Sequence, residues 1–118
     1  MSVHPERAQD TPDLCVVLTT TETEEEAQAL ARGLLEASLA ACIQLSQIDS
    51  LYVWEGDVAA DPEIRLMIKT RQTLAGQVVA WLEGNHPYEV PQIMVLPAIG
   101  VGPGYQSWLL EVTSDGGR

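Results

Sequence analysis

The chain contains no phenylalanine, one lysine and two cysteines in 118 residues. Each scarcity excludes something. Without Phe, the interior must be filled by Leu, Val, Ile and Ala, with three Trp and three Tyr as the large side chains. Two cysteines, Cys15 and Cys42, give no disulfide framework. Both lie among apolar residues and read first as small core side chains. Six Lys and Arg stand against seventeen Asp and Glu, a formal net charge of -11. A nucleic-acid duplex or an anionic bilayer repels such a chain, so neither is an expected partner. No run approaches the roughly 20 apolar residues of a membrane-spanning helix. The opening MSVHPERAQDTPD lacks the apolar stretch of a signal peptide, and a cytoplasmic protein is expected. Phosphate-cradling GxxxxGK[ST], paired-Cys zinc and GxSxG motifs are also missing.

What is present reads as one domain, residues 14–113, between polar ends at 1–13 and 114–118. LCVVLTT (Leu14 to Thr20) is a short apolar run, the pattern of a strand buried on both faces. A helix follows. Thr21 with Glu24, or Thr23 with Glu26, fits a capping box, and Glu22, Glu24, Glu25 and Glu26 suit the positive end of a helix dipole. Ala27, Leu30, Ala31, Leu34 and Leu35 recur at helical spacing. The glutamate cluster thus has an ordinary structural explanation beside a cation-binding one.

CIQLSQIDSLYVWEGDVAADPEIRLMIKT reads as a long hairpin turning near Glu55-Gly56-Asp57. A bulge is expected around Gln47 to Ser50, and Asp61-Pro62 is expected to interrupt the return strand. TLAGQVVAWLEGN is a second helix, with Thr73 as N-cap, Leu74, Val78, Trp81 and Leu82 as its buried stripe and Gly84 as its stop. QIMVLPAI is a fourth strand, and GPGYQSWLLEVT a short last helix with Tyr105, Trp108 and Leu109 on one side. The preceding GVGPG reads as a connection, since Pro103 and the lack of a following cation weaken a phosphate loop.

The order β-α-β-β-α-β plus a terminal helix is the ferredoxin-like plan of an α+β sandwich. Two helices cover one face of a four-stranded sheet. The other face carries Tyr52, Trp54 and Met67 as well as apolar positions of the first and last strands. Something must cover it, and a homo-oligomer packed sheet against sheet is the economical answer.

The candidate site lies in NHPYEVP, Asn85 to Pro91. In one reading, His86 and Glu89, with Cys42 brought near or donors from another subunit, form a Cu(II) or Zn(II) site. Three or four protein donors are normally needed. In the other reading, Pro87 and Pro91 stiffen a strand entry, His86 hydrogen-bonds a backbone carbonyl, and Tyr88 supplies interface area. Trp54 beside Glu55 and Gly56 reads as an interface anchor. Arg65, Lys69 and Arg71 lie within seven residues and are the available contacts for an anion, with a charged strand edge as the blander reading.

At LAACIQL, SLYVWEGDV, MIKTR, NHPYEVPQIMVLP and YQSWL the sequence resembles the CutA-like family, named for divalent-cation tolerance. These segments cover nearly everything from Leu14 to Val112. The resemblance implies a ferredoxin-like fold, a compact homotrimer whose hairpin reaches onto a neighbour, an interface at Tyr52, Trp54 and Tyr88, and a non-enzymatic role in tolerance of copper and other divalent metals. It also implies a likeness to trimeric nitrogen-regulatory signalling proteins, hence the alternative of a small-ligand module with its ligand in the intersubunit cleft; the apolar second sheet face motivates a further alternative, a stable trimeric scaffold. In some relatives copper is assigned to a Cys near the end of the first strand and to two adjacent His before Pro-Tyr. Here those positions are Thr19, Asn85 and His86.

Overall fold

A computed structural model describes residues 13–113. The polar ends expected at 1–13 and 114–118 lie outside it, apart from Asp13. The elements run β1 (Leu14–Thr21), α1 (Glu24–Glu36), β2 (Cys42–Trp54), β3 (Asp57–Arg71), a 3-10 turn (Gln72–Leu74), α2 (Ala75–Asn85), β4 (Met94–Ala98) and α3 (Pro103–Val112). The strands form one antiparallel sheet in the order β2-β3-β1-β4.

The apolar stretch of β1, residues 14–18, is the part that pairs on both sides, with β3 and with β4. Cys15 and Val17 of β1 and Ile64, Leu66 and Ile68 of β3 pack against Ala27, Leu30, Ala31 and Leu34 of α1 and Val78 and Leu82 of α2. Each such Leu contributes on the order of 1.5–3 kcal/mol by leaving water. α1 starts where the sequence places it. The Thr23 hydroxyl accepts from Glu26 N, and the Glu26 carboxylate accepts from Thr23 N, which closes a capping box. α1 and α2 approach closely at Gly33. A Cβ there would lie 2.6 Å from Cζ2 of Trp81.

Four local expectations are corrected. β3 runs unbroken through Asp61 and Pro62. The two-residue turn Glu55-Gly56 has φ of 51° and 85°, the double positive φ of a type I′ turn. Counting back from its closing pair Trp54 and Asp57, Pro62 falls at a non-hydrogen-bonded position opposite Asp49. Its missing N–H faces the other edge, where β1 has already ended at Thr21 opposite Ile64. There is no bulge either, because the β2–β3 register is constant from Cys42↔Lys69 to Trp54↔Asp57. The polar residues at 47–50 need no bulge because this stretch has run past the core.

Thr73 does not cap α2. The chain enters through the 3-10 turn, whose first N–H, on Gln72, bonds Asp13 O at 2.7 Å. Gly84 does not stop α2, which continues to Asn85 and ends where His86 turns extended (φ -74°, ψ 139°). The residue before a proline avoids helical geometry, so Pro87 sets the end.

α3 lies over one end of the second sheet face. The Arg71 guanidinium donates to the Thr113 hydroxyl at 3.0 Å and to the Leu110 carbonyl, tying β3 to the end of that helix. The rest of this face is open in the single chain: Met94 is 50% exposed and Leu96 42%.

Candidate functional site

Residues 57–63 of β3 and their partners in β2 project past β1 as a two-stranded arm of roughly 20 Å. Beyond Glu63 at its base, its side chains face solvent or one another. The segment after α2 returns alongside the arm's base. Pro87 and Pro91 hold it extended, and three side chains fasten it.

His86 is the first. Its Nδ1 accepts from Tyr88 N at 3.0 Å, so that nitrogen carries no proton. Nε2 then carries the proton and donates to Thr20 O at 2.8 Å, with the Thr19 hydroxyl 3.1 Å away. Burial holds the imidazole below its ordinary pKa of 6.5, against the smaller opposing pull of the Thr20 carbonyl, Glu26 and Glu63. Tyr88 is the second. Its hydroxyl donates to Glu63 Oε2 at 2.8 Å, and burial followed by that bond raises the phenol pKa. Glu63 is the third. Its other oxygen accepts from the Ser50 hydroxyl at 2.7 Å. One chain of bonds thus joins β2, β3, the 86–92 segment and the end of β1. Further out, Tyr52 donates to Asp61, and that bond raises its pKa.

Between the arm and the 86–92 segment lies an open cleft of about 1030 Å³. Tyr52, Trp54 and Tyr88 line it with Glu22, Asp49 and Asp61. Sequence reading placed the three aromatics at an interface but did not bring the carboxylates to them. The available signal was polar residues inside strand segments, at Asp49, Ser50, Asp61 and Glu63, where a core-facing strand would not keep them.

Within one chain the metal candidates are not gathered. Cys42 pairs with Lys69, whereas Thr20, beside His86, pairs with Arg65. That separates Cys42 from His86 by roughly 13 Å along the strands and two strand spacings across them. Glu89 is exposed. Among the described residues no three His, Cys, Asp or Glu side chains come together as a metal cage. Thr19 and His86 do meet, and the Asn85 amide donates to Trp81 O at 2.8 Å. With a hydroxyl, an amide and an imidazole whose two nitrogens are both engaged, these three do not fit a resident copper ion.

The cations are dispersed in role. Arg71 holds α3, Lys69 lies 5.7 Å from the Tyr105 ring centroid, and Arg65 is exposed. None of the three lines the cleft. GVGPG is the β4–α3 connection, with Pro103 opening the helix.

Comparison with known proteins gives one answer. The family model of the CutA1 divalent ion tolerance protein matches residues 15–112. The chain is 36% identical over 113 residues to the chloroplastic protein CutA of Arabidopsis thaliana, covering 95% of this chain and 62% of that one. It is 38% identical to the divalent-cation tolerance protein CutA of Pectobacterium atrosepticum, covering 82% and 89%. The mouse protein CutA is likewise 38% identical, but the chain spans only 54% of its length. Among solved structures, CutA of Synechococcus elongatus superimposes with a TM-score of 0.84 at 38% identity, covering 88% of this chain and 93% of that one. The same Synechococcus protein has been solved complexed with a Bis-Tris molecule. The Pectobacterium relative and the family model are named for divalent-cation or divalent ion tolerance.

Proposed function

The chain belongs to the CutA1 divalent ion tolerance protein family, and on that premise we propose that it is a non-enzymatic homotrimer that handles divalent ions, Cu(II) among them, as exchangeable cargo. The observation that carries this reading is the full engagement of His86. A copper ion at Nδ1 would displace the Tyr88 N–H, and one at Nε2 would displace the Thr20 carbonyl. Binding there competes with the fold, so it is weak.

Attraction of cations needs no ordered site. Three copies at -11 each carry -33, and such a field concentrates cations around the surface. The trimer is supported by the open apolar face at Met94 and Leu96, and by the arm, where Leu51, Val53 and Val58 are each at least 70% exposed. Patches of this kind mark subunit contacts. The test is a calorimetric Cu(II) and Zn(II) titration of the protein and of His86→Ala at moderate salt, with oligomer mass measured on the same samples. Weak, salt-sensitive uptake of similar size in both proteins, by a trimer, is expected. Tight stoichiometric binding lost in the variant would replace this reading with a resident site at His86.

A second reading is favoured by the cleft itself. A volume of about 1030 Å³ beside the arm that would meet a neighbour, in a family with a member solved in complex with Bis-Tris, suits a small-ligand module.

A further inference from the structure

The inference deepens the cation-handling reading and rests on its trimer. In that trimer the β2–β3 arm meets a neighbour, so Leu51, Val53 and Val58 are subunit contacts rather than a free surface. The charge of the arm is unusual for a contact. Residues 49–63 hold five carboxylates, Asp49, Glu55, Asp57, Asp61 and Glu63, and no Lys or Arg, whereas the cores of subunit contacts are depleted of charge. The hydroxyls of Ser50, Tyr52 and Tyr88 satisfy Asp61 and Glu63 as hydrogen-bond acceptors but bring no positive charge.

Whatever surface of a neighbour the arm meets, that neighbour carries a net charge of -11. Its cations within the described residues are Arg32, Arg65, Lys69 and Arg71. Arg71 is committed to Thr113 and Leu110, and Lys69 lies against Tyr105. Arg32 and Arg65 are exposed. Even if both met one arm, two of its five carboxylates would be offset and three would not. Docking of the arm therefore brings like charges together, and the burial of its apolar side chains has to drive it.

Like charges brought together raise the local negative potential, and cations gather there. A species taken up more by the assembled state than by the separate chains stabilises assembly by mass action, and assembly raises its uptake in return. A divalent cation gains twice the energy of a monovalent one at any negative potential, so its enrichment is the square of the monovalent one. No ordered cage is needed for this, and among the described residues none exists. We infer that trimer assembly and divalent-cation uptake are coupled through the arm: divalent cations strengthen the trimer, and the trimer gathers cations that separate chains do not.

The test is thermal unfolding of the intact protein at fixed protomer concentration, in MgCl2 and in NaCl of equal ionic strength, with oligomer mass measured on the same samples. Magnesium is the probe because it takes oxygen ligands and leaves thiols and imidazoles alone. A Tm several degrees higher in MgCl2 is expected. The triple variant Asp49→Asn, Glu55→Gln, Asp57→Asn removes three arm charges outside the tyrosine bonds and should lose most of that gap. The triple variant Glu25→Gln, Glu36→Gln, Glu83→Gln removes the same charge from exposed helix positions and should keep it. Equal loss in both triples would assign the effect to total charge and overturn the coupling through the arm. A Tm that falls as either salt is added would mean that the arm carboxylates are paired with a neighbour's cations, which also overturns it. No gap between the salts, in a protein that is still a trimer, overturns the coupling and leaves the trimer reading standing. A monomer under every condition overturns both.

Discussion

Replacing His86 by alanine tests whether this side chain is a fastener or a ligand. The ring donates to Thr20 O at 2.8 Å and accepts from Tyr88 N at 3.0 Å. Each bond contributes about 0.5–1.5 kcal/mol net. The Thr19 hydroxyl, on a fully buried residue, also loses its imidazole neighbour, and an unsatisfied buried polar group costs about 1–3 kcal/mol. The expected destabilisation is roughly 2–6 kcal/mol per protomer, read as a fall of several degrees or more in Tm at fixed protomer concentration with a chelator present.

The pH dependence sharpens the test. The folded imidazole is neutral, since Nδ1 accepts a bond, and burial holds its pKa below the 6.5 of the unfolded chain. Between the two values the unfolded state binds more protons, so stability rises with pH there. The contribution of His86 is therefore full above about pH 6.5. It declines as pH falls below that value and levels off beneath the folded pKa. Other groups titrate alike in both proteins, so the Tm gap between wild type and His86→Ala should be widest near pH 8 and shrink towards pH 5. A gap that widens towards acid would mean that Glu26 and Glu63 hold an imidazolium in the folded state, and the proton assignment would be wrong. A small, flat gap would show that the bonds fasten nothing.

Two further outcomes follow from close approaches. Gly33→Ala places a Cβ 2.6 Å from Trp81 Cζ2. Overpacking costs about 1–3 kcal/mol, while the gain in helix propensity returns about 1, so the variant should lose stability in the wild-type background and gain it beside Trp81→Leu, as read from denaturant midpoints. Additive effects of the two changes would disprove the clash. Thr19→Cys with Asn85→His, beside the native His86, sets a thiol and a second imidazole where Thr19 Oγ1 already lies 3.1 Å from the ring. This double variant should bind Cu(II) saturably and at least tenfold more tightly than wild type in calorimetry, and equal affinity would show that these positions cannot gather donors.

Most of the scaffold is legible in residue spacing. β1 is readable because a strand paired on both sides and covered on one face leaves few places for polar groups. α1 is readable because its cap is local, the hydroxyl and carboxylate lying three residues apart. The errors share a cause. Pro62 was expected to break β3, but a proline is harmless where its missing N–H faces an empty edge, and whether an edge is empty depends on where β1 ends. Thr73 and Gly84 carried the right chemistry for helix ends, but Asp13 and Pro87, through tertiary contact and backbone sterics, set those ends instead.

The site was less legible for a different reason. The features that make an imidazole a metal ligand, a lone pair on one nitrogen and a fixed tautomer on the other, also make it a structural bridge between a backbone N–H and a carbonyl. The sequence NHPY permits both. The choice is made by residues 66 and 67 positions upstream, Thr20 and Thr19, which no local pattern connects to His86. The carboxylates show the converse. Glu22, Asp49, Asp61 and Glu63 are scattered through three segments as ordinary polar positions, and a two-stranded arm that outruns its core brings them to one cleft. A site of that kind is written in the lengths of β1, β2 and β3 rather than in a motif. Shortening the arm while leaving every core residue in place should therefore abolish the cleft and preserve the fold.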